Sequence, residues 1–279
     1  MGPSGRLPTY REIAGPDLSG IGAQVAAQHA RVTARLAGVR YVVAVASGKG
    51  GVGKSFVTAR LGEALAAAGL TVGILDADVN GPTIPRLTGA ARPVLRVAGG
   101  VVEPFVTAAG VRVFSAEFLV APGEPVRWHA PQGDAFVWRG TLEAQALREM
   151  LSDVAWGVLD VLLVDLPPGP GRMEDLSDLV PGLAGVLAVT IPSGEALDAV
   201  RRALALSRER GTRLLGIVEN LTGHRCPSCG HEHAAFPGDA GAQLSAEFAV
   251  PILGRLPIDP PEQVVRDLGR AVWARLEHP

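Results

Sequence analysis

The chain has 279 residues, of which 47% are hydrophobic and 19% charged, a balance typical of a globular protein. Its net charge of −2 provides no overall attraction to nucleic acid or to an anionic membrane. No apolar run is long enough to span a bilayer, and the first residues lack the features of a signal peptide. We therefore expect a cytoplasmic protein that binds neither nucleic acid nor membrane.

Residues 1–40 are predicted to form a leader. Residues 1–20 are interrupted by Pro and Gly, which indicates extended chain, whereas residues 21–38 are Ala-rich and have the apolar spacing of one helix. The rest of the chain, residues 41–279, is predicted to be one domain that carries an inserted Cys-x-x-Cys loop at 226–229.

From residue 41 onward, strand-like segments alternate with helical ones. Several strand-like segments are continuous Val, Leu and Ile runs, as expected for parallel strands that are covered on both faces. The predicted strands are 41–46, 71–76, 111–115, 158–165, 184–191, 213–219 and 252–256, and the predicted helices are 54–68, 140–152, 194–209, 239–249 and 261–276. A hairpin is predicted within 92–104, turning at Gly99 and Gly100. The alternation predicts an α/β fold with a doubly wound, mostly parallel sheet.

A glycine-rich motif follows the first predicted strand. Residues 48–55, GKGGVGKS, match G-x-x-x-x-G-K-[ST] between a strand and a helix, which predicts a phosphate loop that binds ATP with Mg²⁺. Its glycines allow backbone N–H groups to face phosphate oxygens. Lys54 is expected to contact the β- and γ-phosphates, and Ser55 to hold Mg²⁺. The predicted nucleotide contacts in this segment are Gly48, Lys49, Gly50, Gly51, Val52, Gly53, Lys54, Ser55 and Phe56.

The chain contains two lysines, and both lie in this motif. Lys49 and Lys54 are five residues apart, and all other Lys or Arg positions are arginine. Lysine is a compact charge on a flexible stem, whereas arginine is a wide planar fork, so a closed loop around phosphate accommodates lysine better. We therefore predict that Lys49 also contacts phosphate.

Acidic residues follow two other predicted strands. In GILDADVNGPTIPRLTG, Asp76 ends a strand and Asp78 follows in the loop; in VLDVLLVDLPPGPGR, Asp165 ends another strand. A carboxylate at the carboxyl end of a parallel strand can hold Mg²⁺, and one that faces the γ-phosphate can orient a water molecule. Ser55, Asp76 and Asp165 are therefore the predicted magnesium site.

Several stretches together resemble a known family. KGGVGKS resembles the deviant phosphate loop of the ParA/MinD/nitrogenase-iron-protein class of P-loop ATPases. Within that class, residues 73–89, 136–160, 216–223 and 251–260 are similar to the Mrp/ApbC group of iron–sulfur cluster carriers. The resemblance covers about residues 40–265.

This resemblance implies roles for individual residues. It implies a homodimer in which Lys49 crosses to the partner's nucleotide and Asp78 positions the attacking water, which makes both catalytic. It also implies that Asn220 contacts the adenine base, the alternative being an Asx turn. The family's P-P-G-T-G-D segment is altered here, because Pro170 replaces Thr and Arg172 replaces the acid. We therefore expect slow ATP hydrolysis.

A cysteine pair lies in GHRCPSCGHEH, residues 223–233. Cys226 and Cys229 supply two thiolates from one turn, half of a four-ligand site. The resemblance implies that two chains share a bridging [4Fe–4S] cluster. The alternatives are a zinc site within one chain, completed by His231 and His233, and a thiol redox pair.

The leading hypothesis is an ATP-dependent iron–sulfur cluster carrier that acts as a homodimer. Its expected partners are apo iron–sulfur proteins and cluster-assembly scaffolds. The alternative is a positioning or partner-assembly ATPase like ParA or MinD, with a structural or zinc-binding cysteine pair. A nitrogenase-like reductase component is a weaker possibility, because such a protein spreads its cysteines over two loops.

Overall fold

An eight-stranded sheet forms the centre of the computed structural model, which describes residues 21–90, 94–121, 135–169 and 171–278. The strands are β1 (Val39–Ser47), β2 (Val72–Asp76), β3 (Val97–Ala98), β4 (Val101–Val102), β5 (Phe105–Val106), β6 (Arg112–Ser115), β7 (Leu159–Asp165), β8 (Leu183–Thr190), β9 (Leu214–Asn220), β10 (Gly223–Arg225), β11 (Glu232–Ala234) and β12 (Ile252–Leu256). The leader residues 1–20 and Pro170 lie outside the described residues.

Helices cover both faces of this sheet. They are α1 (Ile21–Leu36), α2 (Lys54–Ala67), α3 (Ile84–Leu87), α4 (Ala135–Asp153), α5 (Gly171–Leu179), α6 (Gly194–Glu209), α7 (Ala240–Phe248) and α8 (Glu262–Glu277). The order across the sheet is β12-β9-β8-β1-β7-β2-β6-β5, and every neighbouring pair is parallel except β5 with β6. The predicted doubly wound, mostly parallel sheet is therefore confirmed.

The central strands are buried because helices pack on both sides of them. Val43 and Val45 face one apolar core that includes α2 and α8, whereas Val42 and Ala44 face a second core on the opposite side. The alternation of side chains along a strand thus fills two layers, which is why β1 is a continuous apolar run. Among the residues described, no helix combines the length and the apolar character that crossing a membrane requires.

The predicted leader helix packs against the domain. Val32 and Leu36 of α1 are buried in the same core as α4. Arg31 Nη2 lies 2.6 Å from Asp153 Oδ1, and Arg35 Nε donates to the Ser152 carbonyl at 2.9 Å. Both contacts hold α1 to the last turn of α4.

All seven predicted strands and all five predicted helices after residue 41 are present, with ends shifted by a few residues. The largest shift is at α4, which begins at Ala135 rather than at residue 140. The hairpin that turns at Gly99 and Gly100 is confirmed as β3–β4, and both glycines have positive φ, as a tight hairpin turn requires. The prediction missed α3, α5, β5 and the hairpin β10–β11, all of which are short and have weak apolar patterns.

Candidate functional site

Five parallel strands end side by side at one edge of the sheet. They are β1, β2, β7, β8 and β9. Asp76 ends β2, Asp165 ends β7 and Asn220 ends β9, and Asp76 is paired in register with Asp165. In open parallel sheets, ligands bind beyond the carboxyl ends of the strands. The fold therefore gathers the predicted nucleotide and magnesium residues at the edge where a ligand is expected.

The phosphate loop, residues 48–53, connects β1 to α2. Gly51 and Gly53 have left-handed φ angles of 80° and 78°, a conformation that strains residues with a side chain. Gly48 packs so closely on α6 that a Cβ atom there would lie 2.2 Å from the backbone of Ala199. The loop borders a cavity of about 530 Å³, within the usual size of ligand pockets. The cavity is lined by Lys49, Gly50, Gly51, Val52, Gly53, Lys54, Ser55 and Phe56, among others.

The N-terminal part of α2 places three side chains on Asp165. Lys54 Nζ lies 2.7 Å from Asp165 Oδ2, and the two side chains are 6% and 0% exposed. Ser55 Oγ donates to the same carboxylate oxygen at 2.6 Å. Thr58 Oγ1 donates to Asp165 Oδ1 at 2.7 Å. Thr58 is not among the predicted site residues, although its position four residues after Lys54 places both on one face of the helix.

Asp76 is buried beside this cluster. Its Oδ2 accepts hydrogen bonds from the backbone N–H groups of Thr83 and Ile84 at 3.1 and 3.2 Å. Burial, followed by the charge of Asp165, raises the pKa of Asp76 to about 8. Two carboxylates and the Ser55 hydroxyl make an all-oxygen donor set, which fits Mg²⁺. A divalent cation would also neutralise the two adjacent carboxylates.

Asp78 lies on the wall of the same cavity. Its Oδ1 accepts a hydrogen bond from the Gly81 N–H at 3.1 Å, and its own N–H donates to Asp76 Oδ1 at 3.2 Å. The loop after β2 thus holds Asp78 next to the phosphate loop. A carboxylate in this position is suited to accept a proton from water.

Lys49 pairs with a residue of its own chain. Its Nζ lies 3.5 Å from Glu195 Oε2 at the start of α6, where Ser193 Oγ accepts a hydrogen bond from the Glu195 N–H. Lys49 is 33% exposed and Glu195 is 88% exposed, so solvent screens this ion pair. The ammonium is therefore held at the rim of the cavity, whereas Lys54 lies inside it.

Asn220 lies beneath the phosphate loop. Its side chain is fully buried, and its Nδ2 donates to the Val52 carbonyl at 2.9 Å. A Cβ atom on Gly53 would lie 2.2 Å from this Nδ2, which explains why position 53 requires glycine. Asn220 Oδ1 is buried and has no hydrogen-bond partner among the described residues. These contacts join Asn220 to the loop backbone, and the adenine contact stays a prediction.

The two cysteines lie outside the cavity, at the turn between β10 and β11. Cys226 follows β10 directly, and its backbone N–H donates to the His231 carbonyl at 2.9 Å. Both thiols are free; Cys226 is half-buried and Cys229 is exposed. A hydrogen bond from Ser228 Oγ, helped by the backbone N–H groups of Cys229 and Ser228, lowers the pKa of Cys226 to about 6.

Histidines flank the cysteine turn on the two strands of its hairpin. His224 pairs with His233 across β10 and β11, and the rings of His231 and His233 have centroids 4.6 Å apart. Over the part of the chain that is described, no three His, Cys, Asp or Glu side chains come together as a metal-binding group. Within one chain, the two thiols are thus not grouped with the histidines that the zinc alternative requires as ligands.

Arg172, one of the two residues that depart from the family pattern, joins α5 to α4. Its Nη2 donates to Glu143 Oε2 on α4 at 2.5 Å, and its Nη1 donates to Asp175 Oδ2 at 2.7 Å. Asn80, two residues after Asp78, donates to Glu143 Oε1 at 2.7 Å. Glu143 therefore links the first turn of α5 to the loop that carries Asp78. Arg172 stands out in the sequence as a departure from the family pattern, but no sequence signal indicates this partner, which lies 29 residues away.

Comparison with known proteins agrees with the nucleotide-binding geometry of the site. Residues 38–278 match the family described as ParA, NUBPL iron-transfer P-loop NTPase. The chain is 37% identical over 265 residues to the iron–sulfur cluster carrier protein of Saccharolobus solfataricus, an alignment that covers 94% of this chain and 86% of that protein. It is 40% identical over 230 residues to human cytosolic Fe-S cluster assembly factor NUBP2, covering 81% of this chain and 82% of that protein.

A solved structure is also similar. The nucleotide-binding protein from Archaeoglobus fulgidus in complex with ADP matches with a TM-score of 0.69 and 34% sequence identity, covering 88% of this chain and 92% of that one. The resemblance that the motifs indicated, to cluster carriers of the ParA and MinD class, is therefore confirmed. The chain belongs to the ParA family of NUBPL iron-transfer P-loop NTPases.

Proposed function

We propose that this protein is an ATP-dependent iron–sulfur cluster carrier that works as a homodimer and delivers a [4Fe–4S] cluster to apo iron–sulfur proteins. The cluster is the cargo, held by Cys226 and Cys229 of two chains. One observation carries this proposal: two free thiols lie at the turn of a hairpin that follows the strand ending beneath the phosphate loop.

The cavity residues have distinct tasks in ATP binding and hydrolysis. Backbone N–H groups of the phosphate loop and the Lys54 ammonium bind the phosphates of ATP. Ser55, Asp76 and Asp165 are the residues that would hold Mg²⁺, which would offset the phosphate charge. Asp78 orients the attacking water and accepts its proton.

The proposal requires two copies of the chain, because each contributes half of the cluster ligands. Iron–sulfur clusters of the four-iron type are bound by four thiolates, and each chain has two cysteines. Lys49 fits the same arrangement, since its ammonium lies at the rim of the cavity and is partly exposed. In the dimer, Lys49 leaves Glu195 and contacts the nucleotide of the partner subunit.

The names of the relatives support this assignment. The archaeal relative is a cluster carrier and the human relative is a cytosolic cluster assembly factor, and both align with most of this chain. We extend cluster transfer, and a cytoplasmic location, to this protein by that similarity. Scaffold proteins that build clusters are the corresponding donors.

Anaerobic reconstitution with iron and sulfide tests the proposal. The wild-type protein is expected to develop the broad visible absorbance of a [4Fe–4S] cluster, with about four iron atoms per two chains. Cys226→Ser and Cys229→Ser should each abolish it, because they remove two of the four ligands of a shared cluster. Wild-type protein without cluster absorbance, or serine variants with full absorbance, would contradict the proposal.

Metal analysis of protein purified without oxygen separates iron from zinc. His231→Ala is the matched variant, because His231 is a ligand only in the zinc alternative. We expect iron in the wild type and unchanged iron content in His231→Ala. Zinc in the wild type that is lost in His231→Ala would favour the single-chain zinc site.

A further inference from the structure

Asn220 touches the phosphate loop and begins the chain segment that leads to the cysteines. Its Nδ2 donates to the Val52 carbonyl, 168 residues away in sequence. It is the last residue of β9, and β10 begins three residues later. The same residue thus ends the strand that supports the nucleotide site and starts the connection to the cysteine hairpin, β10–β11 with its turn.

The hydrogen bond from Asn220 orients a loop peptide. No described peptide bond is cis, so in the planar peptide that joins Val52 and Gly53 the carbonyl and the N–H point in opposite directions. Asn220 holds the Val52 carbonyl on the buried side, and Gly53 lines the cavity on the other side. The Gly53 N–H is therefore turned toward the place where phosphate binds.

The connection to the hairpin is short and strained. Leu221, the next residue, has a φ angle of 54°, a left-handed conformation that is costly for a residue with a branched side chain. The Thr222 N–H then donates to the Leu256 carbonyl at 3.0 Å, and the Ile258 N–H donates to the Gly223 carbonyl at 2.9 Å. Residues 221–223 thus connect Asn220 to the base of the hairpin, and backbone hydrogen bonds tie two of them to the end of β12 and the residues just after it.

Asn220 also has an unsatisfied group that admits a second arrangement. Its Oδ1 is buried without a hydrogen-bond partner among the described residues, which destabilises the present arrangement. The hairpin beyond it is mostly exposed and is held at its base by backbone hydrogen bonds. A ligand shifts such a segment only if it binds one arrangement of it more tightly than another.

We infer that Asn220 couples phosphate binding in the loop to the exposure of the cysteine turn. Phosphate that binds the Gly53 N–H fixes the Val52 peptide, strengthens its bond with Asn220 and orders the residues between β9 and β10. This inference rests on the proposed function, because it gives the carrier a means to change its hold on cargo with nucleotide state. Asn220 acts as a positioning residue for both sites.

The test uses thiol modification of the full-length protein without iron or sulfide. A fluorescent maleimide labels Cys226 and Cys229, and the rate is measured with and without saturating ADP and Mg²⁺. ADP supplies α- and β-phosphates for the loop but lacks the γ-phosphate of ATP, which the proposed dimer binds. Analytical sedimentation verifies that the oligomeric state is the same with and without ADP. We expect ADP to slow labelling of the wild type about fivefold, the lower end of typical coupling between sites.

Asn220→Leu removes the donor while nearly preserving shape, because leucine has the branched outline of asparagine and no polar atom. At ADP concentrations that saturate this variant, the labelling rate is expected to be the same with and without ADP. Gln263→Leu likewise removes an amide on the exposed face of α8 and should keep the fivefold effect. Thermal melting and ADP titration establish that each variant folds and is saturated.

Two results would overturn the inference. One is a wild-type labelling rate that ADP does not change, a measurement that needs no variant. The other is an Asn220→Leu protein that binds ADP and retains the fivefold protection. The labelling test needs no cluster, so it can fail independently of the carrier function. If reconstitution fails but ADP still protects the thiols, the carrier function alone is rejected. If reconstitution succeeds but ADP does not protect the thiols, this coupling alone is rejected.

Discussion

Lys49 Nζ lies 3.5 Å from Glu195 Oε2 of the same chain, at the rim of the cavity that Lys54 enters. The two lysines of the chain are thus held in different ways. Lys54 is buried against Asp165, whereas Lys49 is held by an exposed and weakly interacting carboxylate. An exposed ion pair of this kind costs little to break, so Lys49 can exchange Glu195 for another partner, as the proposed dimer requires.

Replacing Lys49 by arginine tests whether shape as well as charge matters at this position. Lys49→Arg is expected to lower the ATP turnover number at least about tenfold, because the planar guanidinium does not fit where a compact ammonium meets phosphate. The free energy of unfolding should change by less than about 1 kcal/mol, since the pair with Glu195 is exposed. Steady-state ATPase assays and urea unfolding measure the two quantities.

Glu195→Gln is the control, because it removes the ion pair of Lys49 with Glu195 without changing the lysine. It should leave ATP affinity within about twofold of the wild type, as expected for an exposed pair. If Lys49→Arg keeps the full ATP turnover number, the compact shape of lysine is not required at position 49.

The buried carboxylate of Asp76 should make the stability of the nucleotide-free protein depend on pH. Burial and the charge of Asp165 raise its pKa from 3.8 to about 8. Between these values the folded protein holds a proton that the unfolded chain has lost, so the free energy of unfolding falls as pH rises through this window. Urea unfolding in EDTA at pH 5 and pH 8 should show this fall in the wild type and a smaller fall in Asp76→Asn.

Asp160→Asn provides the control for that experiment. Hydrogen bonds from the Thr71 backbone and hydroxyl lower the pKa of Asp160, so the stability that this carboxylate contributes is lost only in acid, as the pH falls below its ordinary value of 3.8. Between pH 5 and pH 8 the free energy of unfolding of Asp160→Asn should therefore change with pH as it does in the wild type. Equal slopes in the wild type and in Asp76→Asn would contradict the assignment of a raised pKa to Asp76.

Cys226 should react as a thiolate below neutral pH. The hydrogen bond from Ser228 and the nearby backbone N–H groups lower its pKa to about 6, and alkylating reagents react with the thiolate. Peptide mass spectrometry after brief iodoacetamide treatment should show a midpoint near pH 6 for Cys226. Ser228→Ala should move this midpoint to higher pH, and an unchanged midpoint would exclude the Ser228 hydroxyl as the cause.

The ion pair of Arg172 with Glu143 should support turnover rather than ATP binding. Glu143 joins α5 to the loop that carries Asp78. Arg172→Ala is therefore expected to lower kcat about tenfold and to leave KM within about twofold of the wild type. The reason is that a small displacement of Asp78, the proposed catalytic carboxylate, reduces the rate steeply. The exchange variant Glu143→Arg with Arg172→Glu should recover part of kcat.

Arg201→Ala removes a comparable arginine pair on α6, where Arg201 contacts Glu247, and should leave kcat unchanged. A similar loss of kcat in Arg172→Ala and Arg201→Ala would indicate a general loss of stability. Full activity of Arg172→Ala would show that the link between α5 and the Asp78 loop is not needed for hydrolysis.

The phosphate loop was predictable because its chemistry is local. A strand, four glycines and Lys54 within a few residues determine where the backbone N–H groups and the ammonium can point. Asp76 and Asp165 were predictable as strand-end residues, since the carboxyl ends of parallel strands share one edge. Thr58 was within reach of the same reasoning, because helix spacing places it beside Lys54.

The contacts that were missed join parts of the chain that are distant in sequence. Glu195 of α6 contacts Lys49 of the phosphate loop, and Glu143 of α4 contacts Arg172 of α5. Glu residues occur throughout the chain, and the sequence has no pattern that selects these two. Their partners follow from how α4, α5 and α6 pack beside the sheet edge.

The sequence by itself determined the fold class, the phosphate loop, the acidic residues at the carboxyl edge of the sheet and the cysteine pair. Each of these depends on the spacing of residues within single segments of the chain. Only the tertiary structure decided what Asn220 touches. Its amide meets the Val52 carbonyl because β9 lies two strands from β1, so that both strands end at the same edge and the end of one passes beneath the loop of the other. The order of strands in a sheet is set by packing of the whole domain, and no local pattern contains it.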